Sequence, residues 1–170
     1  MPGLYREDLF KDNCGFGLIT NRYGIKSHTV ITKSISALKR MTHRGGIGSD
    51  GKTGDGCGLL FNIDHTFFCD TLYKEQKIEL PKNFGVAQLF ISSSLDKILP
   101  KITILLKKEG LNLEASRKVP INIKILGRIA LDCLPNIYQL FISPINDNIS
   151  NEDFESALLQ ARKFIEIIFD

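Results

Sequence analysis

Asp12-Asn13-Cys14-Gly15-Phe16-Gly17-Leu18-Ile19 is the stretch from which this chain is best read. A cysteine is followed at once by Gly-Phe-Gly and then by an apolar run with the pattern of a buried strand. Glycines at 15 and 17 leave no side chain beside the thiol, so another molecule can approach it closely. A cysteine at a strand tip with a rigid sheet behind it is one way a sulfur nucleophile is presented. The competing reading is a small buried hydrophobe, the usual fate of a free cysteine.

Outward from Cys14, apolar runs predict strands near 14–20, 57–63, 84–91 and 137–143 in one mainly antiparallel sheet. Ser27 suits a helix N-cap, and Val30, Ile31, Ile35, Leu38 and Met41 follow at helical spacing. A helix over residues 28–43 results, stopped by Gly45 and Gly46. Asp64 can cap a second helix reaching Lys74, and residues 96–108 form a third, which Pro100 must begin or kink. Extended pieces over 111–125 are broken by Pro120, and residues 151–169 make a strongly periodic helix. Strands and helices thus recur in mixed order, with neither repeats nor a low-complexity linker. Phe164, Ile165, Ile167, Ile168 and Phe169 are apolar where chain ends are normally polar, so the expectation is a piece of a larger fold.

Between the first helix and the second strand lies a glycine-rich segment, His43-Arg44-Gly45-Gly46-Ile47-Gly48-Ser49-Asp50-Gly51-Lys52-Thr53-Gly54-Asp55-Gly56-Cys57-Gly58. Gly46 to Thr53 fits the phosphate-loop pattern G-x-x-x-x-G-K-T literally. The order is wrong for a nucleotide, because the helix precedes the loop and a strand follows, whereas a phosphate needs the N-terminus of a following helix. A plain connecting loop explains the glycines but not Arg44 and the two aspartates among them. An active-site wall explains all three, with backbone N–H groups close to a ligand and Arg44 as a fixed, forked cation.

Taken together, Cys14-Gly15-Phe16-Gly17, the helix, His43-Arg44-Gly45-Gly46 and Thr53-Gly54-Asp55-Gly56-Cys57-Gly58 closely resemble the start of the glutamate synthase large subunit. That region is a class II glutamine amidotransferase domain with an N-terminal nucleophile. The resemblance is motif by motif over residues 8–95 and fades afterwards. It implies an α+β fold, a four-layer αββα sandwich of the N-terminal-nucleophile hydrolase type, truncated at the C-terminus. Residues 1–13 then correspond to a leader and 14–170 to the first portion of the domain. Cys14 matches the nucleophile, which becomes N-terminal when the leader is removed, and Arg44 matches the active-site arginine. The family's substrate-binding arginine, its Asn-Gly oxyanion pair and the carboxylate for the substrate amine are expected beyond residue 170, and no Asn-Gly dipeptide occurs in the sequence. Substrate-binding residues are therefore not assigned, and the piece alone is expected to be inactive. The family often has alanine in place of Cys57, so that thiol is not assigned a role.

The resemblance further implies glutamine as substrate, and FMN, an iron–sulfur cluster, 2-oxoglutarate and a small reductase subunit as cofactors and partners of the parent enzyme. No flavin or cluster motif, and no metal site, is read in this chain. Over 170 residues the composition is 43% hydrophobic and 24% charged with a net charge of +3, too weakly basic for a nucleic-acid or membrane surface. The N-terminus lacks the apolar core of a secretory signal, and Cys14, Cys57, Cys69 and Cys133 form no CxxC pair, which favours the cytoplasm. The alternative is a non-catalytic α/β module that binds a ligand or partner through the glycine loop, with Cys14 and Arg44 structural.

Overall fold

The computed structural model describes residues 15–41 and 46–169. The chain divides into two compact units, residues 1–61 and 62–170, which are taken separately.

In the first unit the long element is α1, His28–Arg40. Ser27 starts it as expected: its backbone is extended and its Oγ accepts from Thr29 N at 3.2 Å. Helical hydrogen bonding ends at Met41, whose N–H donates to Leu38 O, ahead of the glycines expected to stop it. Lys39 and Arg40 occupy the last turn, where cations meet the negative end of the helix dipole. Residues 15–20 and 57–61 are not strands, contrary to expectation. Phe16 is 97% exposed and Leu60 fully so. An apolar run becomes a strand only when a ladder and a packed face receive it. The sole β-pairing among the described residues of this unit is an isolated bridge between Ile47 and Gly54.

The second unit is an α+β layer structure. Helix α2, His65–Gln76, is capped by Asp64, whose Oδ1 accepts from Phe67 N at 3.0 Å. Strand β1 (Gly85–Ile91), helix α3 (Leu95–Lys108), strand β2 (Leu111–Lys118), a short 3-10 turn (Ile123–Ile125), helix α4 (Arg128–Asp132), strand β3 (Asn136–Pro144) and helix α5 (Asn151–Phe169) follow. The strands form an antiparallel sheet in the order β1-β3-β2, so β3 is central and buried on both faces. Residues 57–63, expected as a further strand, are absent from it.

Alternation along β3 sorts the core into two layers. Leu140 and Ile142 join Leu95, Ile102 and Leu106 of α3 and Phe154 and Ala161 of α5. Phe141 points the other way, to Leu72 of α2, Phe84 and Ala115. Strand β2 changes faces midway: its register shifts between Leu113 and Ala115, leaving Glu114 as the extra residue. Leu111 and Leu113 therefore pack on the α3–α5 side and Ala115 on the α2 side. One sheet with helices on both faces makes three layers; the second sheet of a four-layer sandwich is not among the described elements.

Pro100 lies inside α3 and neither begins nor ends it. Its missing N–H removes one bond within the helix, while Ile102, Leu105 and Leu106 beyond it are buried and keep the element in place.

Candidate active site

Cys14 and Arg44, the two residues assigned catalytic roles from sequence, lie outside the described residues, as do residues 1–13, expected to be a leader. Their described neighbours carry the local geometry. Gly15 follows Cys14 directly and lies against Met41 at the end of α1: a Cβ built on Gly15 would stand 2.6 Å from Met41 Cε. Only the far end of the flexible Met41 side chain would have to move to admit it, so the contact shows proximity rather than a need for glycine. The segment after Cys14 and the end of the helix before Arg44 are thus adjacent.

The glycine-rich segment resolves into a clip over Gly46–Asp55. Gly46 N donates to Asp55 Oδ2 at 2.8 Å, and Asp55 N donates back to Gly46 O at 3.2 Å. At the far end Asp50 Oδ1 accepts from Lys52 N (3.0 Å) and Thr53 N (2.8 Å), and its Oδ2 accepts from Thr53 Oγ1 at 2.6 Å. Gly48 N donates to Thr53 O, and Gly51 N to Gly48 O at 3.0 Å, with Gly51 at φ +68°. Both aspartates left unexplained by a plain loop therefore close the clip on itself. The spacing Asp50-Gly51 was the available signal, since an aspartate often accepts from N–H groups two or three residues on.

That arrangement also decides the phosphate-loop reading. Backbone N–H groups of Gly46, Gly48, Gly51, Lys52, Thr53 and Asp55 already donate within the clip. No helix follows until His65, so the helix N-terminus and dipole that hold a phosphate are lacking.

His28 and His65 open α1 and α2 and are exposed, in keeping with ordinary surface residues. Cys57, Cys69 and Cys133 are free thiols. Among the described residues no group of three or more His, Cys, Asp or Glu side chains is placed to hold a metal ion. No described helix is long and apolar enough to cross a membrane.

A polar constellation that the sequence did not reveal lies on the α2 face of the sheet in the second unit. Arg117 of β2 donates to both carboxylate oxygens of Glu75 on α2, from Nε at 3.1 Å and from a terminal nitrogen at 2.9 Å. Its other terminal nitrogen reaches Gln139 Oε1 at 3.3 Å, and Gln76 Nε2 donates to Ser116 O at 2.9 Å. These bonds tie the end of α2 to β2.

Comparison with known proteins gives the class of this polypeptide. The family model of the class-II glutamine amidotransferases matches residues 14–169, and the chain belongs to that family. The match does not fade after residue 95; it spans the second unit as well. The chain is 38% identical over 170 residues to the glutamate synthase [NADPH] large chain of Bacillus subtilis, covering 96% of this chain and 11% of that protein. It is 35% identical to the ferredoxin-dependent glutamate synthase 1, chloroplastic/mitochondrial, of Arabidopsis thaliana, over 94% of this chain and 10% of that one. Against the glutamate synthase [NADH] of Saccharomyces cerevisiae the figures are 34%, 85% and 7%. The chain thus spans about a tenth of the length of the curated relatives it matches.

Proposed function

We propose that this chain supplies the glutamine-hydrolysing site of a glutamate synthase, with Cys14 as the nucleophile and Arg44 as its active-site arginine. The observation that carries the reading is that the family match opens at residue 14, the cysteine itself. The approach of Gly15 to Met41 adds support, since it joins the segments that lead to the two residues. In this reading the sheet of the second unit is one of the two sheets of a four-layer sandwich, and the enzyme works in the cytoplasm.

Cys14 Sγ attacks the side-chain amide carbon of glutamine, forming a C–S bond and a tetrahedral oxyanion. The C–N bond then breaks and ammonia leaves, carrying the proton given up by the thiol. Water adds to the resulting thioester, the C–S bond breaks, and glutamate and the free thiol are restored. Cleavage of the Asn13–Cys14 bond frees an α-amino group to take and return that proton. Its reference pKa of about 7.7–8.0 suits a base near neutral pH. Turnover should rise as pH climbs through that value, because only the neutral amine accepts a proton. The guanidinium fork of Arg44 suits the substrate carboxylate or a fixed hydrogen-bonding role beside it.

The ammonia is consumed elsewhere in the parent enzyme in the reductive amination of 2-oxoglutarate, where FMN, an iron–sulfur cluster and a small reductase subunit belong. No step above depends on them.

The test is Cys14→Ala in the protein expressed from its complete gene. Glutamine-dependent glutamate formation should vanish while ammonia-dependent formation survives. Arg44→Lys keeps the charge, loses the planar fork and should lower only the glutamine-dependent rate. Glutamine turnover in Cys14→Ala equal to that of the unaltered protein would leave the non-catalytic module.

A further inference from the structure

Strands β1 and β2 are parallel to each other, with β3 between them and antiparallel to both. Parallel strands of one sheet need a crossover, which α3 provides, and such crossovers are right-handed in about 98% of cases. Helix α5 lies on the same face as α3, since both pack on Leu140 and Ile142. It follows β3, which runs opposite to β1. A crossover of the same hand on the same face, begun from a reversed strand, travels the other way across the sheet. The α3 crossover steps from β1 over β3 to β2, so the α5 crossover steps from β3 over β1 to the free edge of β1.

The course of α5 agrees with this. Ile142, near the end of β3, pairs with Gly85 at the start of β1. Leu158 of α5 lies at that same end: a Cβ on Gly85 would stand 2.9 Å from Leu158 Cδ1. One turn and more along the helix, Ile165 and Leu89 share a groove. The helix thus runs beside β1 toward its Ile91 end, and a strand after it would run back antiparallel to β1. The groove between β1 and α5 is floored by Leu106, Leu140 and Ile142 and walled by Leu89, Leu159 and Ile165. The core is therefore open at the β1 edge, and Leu159 is 48% exposed there.

We propose that the free edge of β1 and this groove receive a fourth strand, formed by the residues that follow α5 in the protein from its complete gene. The chain spans about a tenth of the length of its relatives, so polypeptide to supply the strand is available. Helix-to-strand connections run about 2–6 residues, which places the strand just past α5. Strand β1 offers seven residues for pairing. The incoming strand carries apolar side chains at alternate positions, and these enter the groove and close the core. Its backbone covers an edge that would otherwise be open to other chains. Nothing in this topology depends on Cys14 or Arg44.

The experiment places a photo-reactive benzophenone side chain at Gln88, an exposed residue of β1, in the protein from its complete gene. Mass analysis of the crosslinked peptides should join position 88 to the stretch immediately after α5 in the same polypeptide. An adduct to a second copy, to another protein or to a distant part of the chain overturns the proposal. Hydrogen exchange of the unaltered protein needs no substitution and decides the matter should the variant fail to fold. Alternate amides of an edge strand face water, so a fourth strand should bring every β1 amide within about tenfold of the β3 amides. In the 170-residue chain the outward β1 amides should exchange at least about tenfold faster than that. Fast outward amides in the complete protein, or equally slow ones in both proteins, overturn the proposal.

Discussion

Truncation of Glu75 tests whether the Arg117 constellation holds α2 to the sheet. The Arg117 side chain is only 9% exposed, while that of Glu75 is 45% exposed. Glu75→Ala removes two charge-assisted bonds and leaves a nearly buried guanidinium with its bond to Gln139 Oε1 at 3.3 Å. Bonds to charged groups contribute about 1.5–3 kcal/mol each in favourable settings. Solvent reaches the carboxylate and screens the pair, so the lower part of that range applies to both bonds together. We expect a loss of about 1.5–2 kcal/mol, between a surface pair and the roughly 3–5 kcal/mol of breaking a buried one. Glu75→Gln keeps an acceptor and should cost less than half of that. Adding Arg117→Met to Glu75→Ala should restore about 1 kcal/mol, because it removes the uncompensated cation and keeps an apolar stem. Urea unfolding of the 170-residue chain, read as a shift in midpoint at constant slope, gives the values. A loss below about 0.5 kcal/mol for Glu75→Ala would show an ordinary surface pair and refute the reasoning.

Two further outcomes follow from the first unit and from the extent of the chain. Gly15→Ala places a methyl 2.6 Å from Met41 Cε, the far end of a flexible side chain that can move aside, so it should change stability by no more than about 0.5 kcal/mol; a larger shift in the unfolding midpoint, relieved by Met41→Ala, would show that Met41 is held in place. Residues 14–170 alone, even with Cys14 at the N-terminus, should release no useful ammonia from glutamine. Loss of a single oxyanion donor already costs about 10²–10³ in rate, and the expected pair lies outside these residues; normal turnover in an ammonia assay would show that the site has been misplaced.

Sequence and structure agree where an element carries its own signal. Ser27 and Asp64 cap α1 and α2 with their side chains, as residue type and position indicated. Strands β1 and β3 are apolar runs, and β3 is buried along most of its length because helices cover both its faces. Strand β2 was legible only as an extended piece ahead of Pro120, and the irregularity at Glu114, which reverses the alternation between Leu113 and Ala115, gave no signal of its own. The runs at 15–20 and 57–63 misled for the opposite reason: their apolar residues describe a strand's composition, but pairing is a tertiary property. Cys14 and Arg44 were proposed from motif order alone, and both lie outside the described residues. The work of Asp50 and Asp55 was missed because it consists of hydrogen bonds to backbone groups two to nine residues away.

The central claim is that Cys14, freed as an N-terminal residue, is the nucleophile toward glutamine. Mass analysis of the protein from its complete gene, after reaction with a glutamine analogue carrying a diazoketone in place of the side-chain amide, tests it most directly. The account predicts a single adduct on Cys14 in a peptide that begins at Cys14, with residues 1–13 gone. An adduct on Cys57, Cys69 or Cys133 instead, or a reactive Cys14 still joined to Asn13, would contradict it.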